Sequence, residues 1–164
     1  MTHIVTGMRA PDFSLPGLDG KKHSLSSLIV GGPAVVAFFK VSCPVCQFTF
    51  PFLQRLYERF GGDTVSFVGI SQDDAQAAKK FSKQFGVTFP MLMDEKGYPA
   101  SNAYGLVTVP TIFLVDTDGT VKISSEGFVK NDLEAIAREL ADRRKIPSVP
   151  LFRPDEKVPA IKPG

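Results

Sequence analysis

"PAVVAFFKVSCPVC", residues 33 to 46, joins a continuous apolar run to the only two cysteines of the chain. Residues 33–39 are mostly β-branched or aromatic, with no polar break and with "GG" just before them, which is the pattern of a strand buried on both faces of a sheet. Such a strand is central. From Cys43 the period changes: Cys46, Phe50, Leu53, Leu56, Tyr57 and Phe60 recur at helical spacing until a second "GG", at 61 and 62, ends the pattern. Pro44 falls in the first helical turn, where its missing N–H does no harm, whereas Pro51 falls inside the helix and should kink it. The stretch therefore reads as a strand feeding a helix, with Cys43 at the junction.

The same alternation continues outward. "TVSFVGIS" (64–71) is β-rich, and "QDDAQAAKKFSKQFG" (72–86) carries an Ala75, Ala78, Phe81, Phe85 stripe closed by Gly86, so strand, helix, strand, helix implies a parallel βαβ unit. "FPMLMD" (89–94) reads as a short strand and "YPASNAYG" (98–105) as a short helix. "VPTIFLVDTDGTVKISSEGF" (109–128) is a hairpin turned by "DTDG". The last helix, 131–144, opens on an expected Asn131 cap and closes on basic residues that suit a helix C-terminus. At the other end, 10–28 reads as an N-terminal hairpin turned at "GLDGKK". One domain, 1–144, is expected. Residues 145–164, with prolines at 147, 150, 154, 159 and 163, read as an extended tail, disordered or strapped over the surface, with docking to a partner chain as the sharper alternative.

Composition narrows the function. In 164 residues, 19 Lys and Arg are interspersed with 17 Asp and Glu for a net charge of +2, which gives no basic stripe for nucleic acid. No stretch approaches the roughly 18 apolar residues of a membrane span, and the start lacks a positive segment followed by an apolar one. The expectation is a soluble, cytoplasmic protein, or an extracytoplasmic one if a leader has been trimmed.

Two cysteines are too few for a disulfide scaffold, and a domain of this size does not need one. Three local readings of Cys43 and Cys46 stand. A structural zinc site would need two more ligands, and only His3 and His23 are on offer. Two buried structural thiols are possible, but a helix start is an unusual place for one. The third reading is redox exchange: unpaired N–H groups and the helix dipole favour a thiolate at Cys43, and Cys46, one turn on, lies on the same face and can close a disulfide with it. Lys40, three residues before Cys43, adds positive potential in a supporting role. Pro110, in "TVPT" (108–111), heads a strong strand, where a proline is tolerated and where a cis bond would be a maintained feature.

"APDFSLPGLDGKKHSLSSL" (10–28), "PAVVAFFKVSCPVC" and "TVPTIFLVDTDGTV" (108–121) together resemble the alkyl hydroperoxide reductase/thiol-specific antioxidant (AhpC/TSA) superfamily, on its TlpA-type thiol–disulfide oxidoreductase branch, over about residues 8–142. The resemblance implies an α/β thioredoxin-like fold, a central mixed sheet flanked by helices, and no cofactor. It implies Cys43 as nucleophile and Cys46 as resolving thiol. It also implies a cis Pro110 facing them, with the main chain of Thr108 and Val109 free to pair with an extended substrate, so the expected partners are protein disulfides or a thiol redox partner. A thiol peroxidase with Cys43 as peroxidatic residue is the alternative, and a non-enzymatic metal- or protein-binding module the second. The peroxidase branch carries Pro-x-x-x-Thr-x-x-Cys, where this chain has Val36 and Lys40. Ser42, Thr49 and Ala37 likewise stand where relatives have an aromatic, an acid and a buried acid, leaving no evident proton acceptor for Cys46.

Overall fold

The computed structural model describes residues 2–164. A hairpin of β1 (Ser14–Pro16) and β2 (Lys22–Ser24) leads through α1 (Leu25–Leu28) into β3 (Ala34–Phe39), α2 (Pro44–Phe60), β4 (Ser66–Ser71), α3 (Ala75–Phe85) and β5 (Met91–Met93). After α4 (Pro99–Ala103) come β6 (Thr111–Val115), β7 (Val121–Glu126), β8 (Phe128–Val129), α5 (Lys130–Arg143) and β9 (Ile161–Lys162). The main sheet runs β5-β4-β3-β6-β7. β4 is parallel to both β3 and β5, and β6 is antiparallel to both β3 and β7, so the sheet is mixed and the long apolar run is its middle strand.

All six residues of β3 are buried, and their alternation divides the core. Val35, Ala37 and Phe39 face the layer built by α2, α3 and α5; Ala34, Val36 and Phe38 face the one built by the N-terminal segment and Tyr104. Phe39 meets Phe50 of α2 and Phe81 of α3 at ring-centroid distances of 4.5 and 4.7 Å, which locks both helices to the same strand. Pro51 does not end α2, which runs unbroken for 17 residues. The Asp74 side chain caps α3 through the Ala77 N–H, and Gly86 closes it with φ +68°, the left-handed conformation expected of a glycine there.

The start of α5 corrects the sequence reading. Asn131 is not its cap: the helix begins at Lys130, the cap residue is Val129, and no side chain caps it. The Lys130 N–H donates instead to the Ala160 carbonyl, 2.9 Å away, so main chain from the proline-rich segment satisfies the first helical amide. That segment runs extended back over the domain. Leu151 and Phe152 are buried, with Phe152 against Phe52 at 4.9 Å, and Arg55 grips Glu156 through Nη1–Oε1 and Nη2–Oε2 contacts of 2.7 and 2.5 Å.

The Arg55 guanidinium, helped by the Arg153 amide, holds the Glu156 carboxyl down to about 2. A carboxyl lowered on folding stabilises above its ordinary value of 4.5 and loses that contribution as pH falls toward 2. Glu156→Gln is therefore expected to lower Tm at pH 6, with the gap to the parent closing between pH 4.5 and 2 in thermal melts. A gap independent of pH would show that the ion pair does not hold the segment.

Candidate active site

β3 ends at Phe39, and a four-residue turn brings the chain to α2. The Cys43 N–H donates to the Lys40 carbonyl at 3.1 Å, and the Gln47 side chain donates back to the Val41 carbonyl at 2.9 Å, which braces the turn from the helix. Cys43 is the cap residue of α2: its Sγ accepts the Cys46 N–H at 3.2 Å. A sulfur so placed meets one of the free donors of the first turn and the positive end of the helix dipole, both of which favour its anion. Pro44 is the first helical residue, where its fixed φ suits the start and its side chain is exposed.

The two cysteines have opposite surroundings. Cys43 is partly exposed and Cys46 fully buried, and both are free thiols. Burial pushes the Cys46 thiol well up, outweighing a main-chain hydrogen bond from Lys40 that acts the other way; the Cys43 sulfur and the Asp73 carboxylate add to the rise. One sulfur is thus presented to solvent at a helix start while its neighbour is kept protonated below it.

The second half of the site comes from sixty-six residues further on. The Val109–Pro110 peptide is cis, Pro110 is buried, and the Cys43 thiol points at the Val109 carbonyl, 3.5 Å away. Thr111 Oγ1 donates to the Thr108 carbonyl at 2.8 Å and fixes the loop from its far side. Thr108 and Val109 are partly exposed, and the Val109 carbonyl faces Cys43.

Of the residues singled out from sequence, Cys43, Cys46, Pro44, Thr108, Val109 and Pro110 gather within this small region. Lys40 contributes through its main chain, and its side chain is exposed. His3 pairs with Glu126 at 2.6 Å and His23 with Asp19 at 2.9 Å, and among the described residues no group of three His, Cys, Asp or Glu is placed to share a metal. Asp73 is the residue that sequence reading missed: it follows β4, accepts the Val41 N–H at 2.8 Å, and is the carboxylate whose charge reaches Cys46. Its position after a strand ending beside β3 was the available signal.

A family model described as AhpC/TSA family matches residues 6–124. The chain belongs to the AhpC/TSA family. This AhpC/TSA chain is 31% identical over 135 residues to the thiol-disulfide oxidoreductase ResA of Geobacillus thermodenitrificans (strain NG80-2), covering 81% of itself and 76% of that protein. Its fold matches a structure assigned as the thiol:disulfide interchange protein DsbE from Chlorobium tepidum with a TM-score of 0.74 at 29% identity, over 86% of this chain and 98% of the other. It also matches the peroxidoxin BcpB from Mycobacterium tuberculosis with a TM-score of 0.70 at 29% identity, over 89% and 100%. The mixed five-stranded sheet flanked by helices is the fold this AhpC/TSA chain shares with those structures. Among the described residues, no helix of this AhpC/TSA protein is long and apolar enough to cross a membrane.

Proposed function

We infer that Cys43 is the attacking thiol and Cys46 the resolving thiol of this protein. It is a thiol–disulfide oxidoreductase. The observation that carries the assignment of roles is the asymmetry of the pair: Cys43 is partly exposed and its Sγ accepts a helix N-terminal N–H, while Cys46 is fully buried with its thiol pushed up.

As a reductant, the Cys43 thiolate attacks one sulfur of a substrate disulfide along the S–S axis. A bond forms between Cys43 and that sulfur, and the second substrate sulfur leaves as a thiolate and takes up a proton. Cys46 then loses its proton and attacks the Cys43 sulfur, closing the internal disulfide and expelling the sulfur first attacked as a thiolate, which takes up a proton. Two electrons and two protons pass to the substrate in all. The reverse sequence oxidises a dithiol. An extended stretch of protein substrate lies beside Thr108 and Val109 and pairs with their main chain, which presents its disulfide to Cys43, and protein disulfides are therefore the proposed substrate class.

The peroxidase reading draws on the likeness to BcpB, but the positions that would activate peroxide speak against it. Val36 is fully buried in mid-strand, and Lys40 puts no hydroxyl beside Cys43.

Brief treatment of the reduced protein with iodoacetamide at neutral pH is the test. The expected peptide map shows carboxamidomethyl on Cys43 and none on Cys46; modification of Cys46 first would overturn the assignment.

A further inference from the structure

The chain past Ala160 runs to the loop whose Val109 carbonyl faces the reactive sulfur. β9 pairs antiparallel with β8, Ile161 opposite Val129 and Lys162 opposite Phe128. Beyond it the chain passes Gly127, whose φ is +70° and where an added Cβ would stand 2.6 Å from the Lys162 carbonyl and 2.9 Å from the Gly164 nitrogen. Gly127 therefore leaves the room through which the segment runs. At Gly164 an added Cβ would stand 2.6 Å from Thr108 Oγ1 and closer still to the Val109 carbonyl. That carbonyl is the one 3.5 Å from Cys43 Sγ. The main chain of Gly164 thus occupies the space beside Thr108 and Val109.

The hold on these four residues is light and the hold on the segment before them is firm. Residues 161–164 are all exposed, Ile161 by 62%, and among the described residues their side-chain attachment is the Lys162 ammonium over the Phe48 ring at 4.7 Å. Leu151, Phe152 and the Arg55–Glu156 pair anchor the chain upstream. A short exposed ladder on a fixed base opens locally at little cost, without disturbing the domain.

We propose that residues 161–164 are a specificity element for the exchange reaction, a strap across the main-chain docking position. The proposal rests on Cys43 being the attacking thiol and on substrate pairing beside Val109. A small disulfide reaches Cys43 through its exposed side with the strap in place. An extended protein segment needs the space that Gly164 fills, so it reacts only with molecules in which the strap has lifted, and its apparent rate is scaled by that fraction.

The experiment compares the full chain with a variant lacking residues 161–164, measuring exchange of the reduced proteins with insulin and with 2-hydroxyethyl disulfide. For a strap closed in about nine molecules of ten, the deletion raises the insulin rate roughly tenfold and leaves the small-disulfide rate within about twofold. If the deletion lowers Tm by more than a few degrees, Lys162→Ala in the full chain decides by the same two rates, with a smaller rise on insulin alone. An unchanged or lower insulin rate, or an equal rise on both substrates, overturns the strap while leaving the Cys43 assignment standing. Failure of the full chain to react with either substrate would overturn that assignment and the strap with it.

Discussion

Cys43→Ser is expected to reduce dithiothreitol-driven insulin reduction to the uncatalysed rate, a loss on the order of 10³-fold or more, with no loss of thermal stability. The two halves of this result have separate causes. A serine hydroxyl is not ionised near neutral pH and forms no S–S bond, so the first step of exchange has no nucleophile. The same hydroxyl is among the preferred helix caps, and it takes the position in which Cys43 Sγ accepts the Cys46 N–H. Tm should therefore hold or rise slightly. Residual turnover well above background would move the attacking role elsewhere; a large drop in Tm would mean that the sulfur contributes to packing in a way its partial exposure does not suggest.

Cys46→Ala is expected to stop the reaction one step later. The protein still attacks, but the mixed disulfide with substrate persists because nothing displaces it from within, and turnover falls by roughly 100-fold to the rate at which external thiol resolves it. Mass spectrometry after mixing with oxidised glutathione should show one adduct, on Cys43. Alanine is the informative substitution, since a serine at this fully buried position would place a hydroxyl there at a cost of about 1–3 kcal/mol if unpartnered. The parent protein supplies the complementary measurement. Because burial raises the Cys46 thiol, only a small fraction is thiolate near neutrality, and that fraction grows about tenfold per pH unit below its pKa. Release of the mixed disulfide should accelerate with pH over that range. A pH-independent release would place the slow step outside Cys46 deprotonation.

The parts of this structure that were legible in the sequence are those where one physical requirement dominates. A strand buried on both faces must be apolar throughout, so β3 is visible as "AVVAFF". Capping and a first-turn proline mark the head of α2, so the place of Cys43 is visible too. The proline-rich stretch is different in kind: prolines forbid helix and central strand, but they do not say what the chain lies against. Leu151 and Phe152 in the middle of it were the signal of an anchor, since two large apolar residues side by side in a solvated tail have no reason to stay there. The start of α5 was misread because Asn131 has the right chemistry for a cap, while the actual partner of the first amide is a carbonyl thirty residues later in the chain, which no local pattern encodes. Asp73 escaped for the same reason: its relation to Cys46 arises from two strands ending side by side.

The antiparallel pairing of β3 with β6 places Phe38 opposite Thr111. The strand that leads to Cys43 thus finishes level with the point where the strand led by Pro110 starts. The gap between sulfur and carbonyl is gauged by this main-chain ladder together with the short turn braced by Gln47 and the loop held by Thr111. Between these two landmarks the chain runs through α2, β4, α3, β5 and α4, adding two strands to one side of β3 before it returns to a fixed point on the other. Insertions or deletions can accumulate in the loops between α2 and β4 and between α3 and β5, whereas the loops that carry Asp73 and Thr108–Pro110 keep their length because they form the jaw that closes on a disulfide.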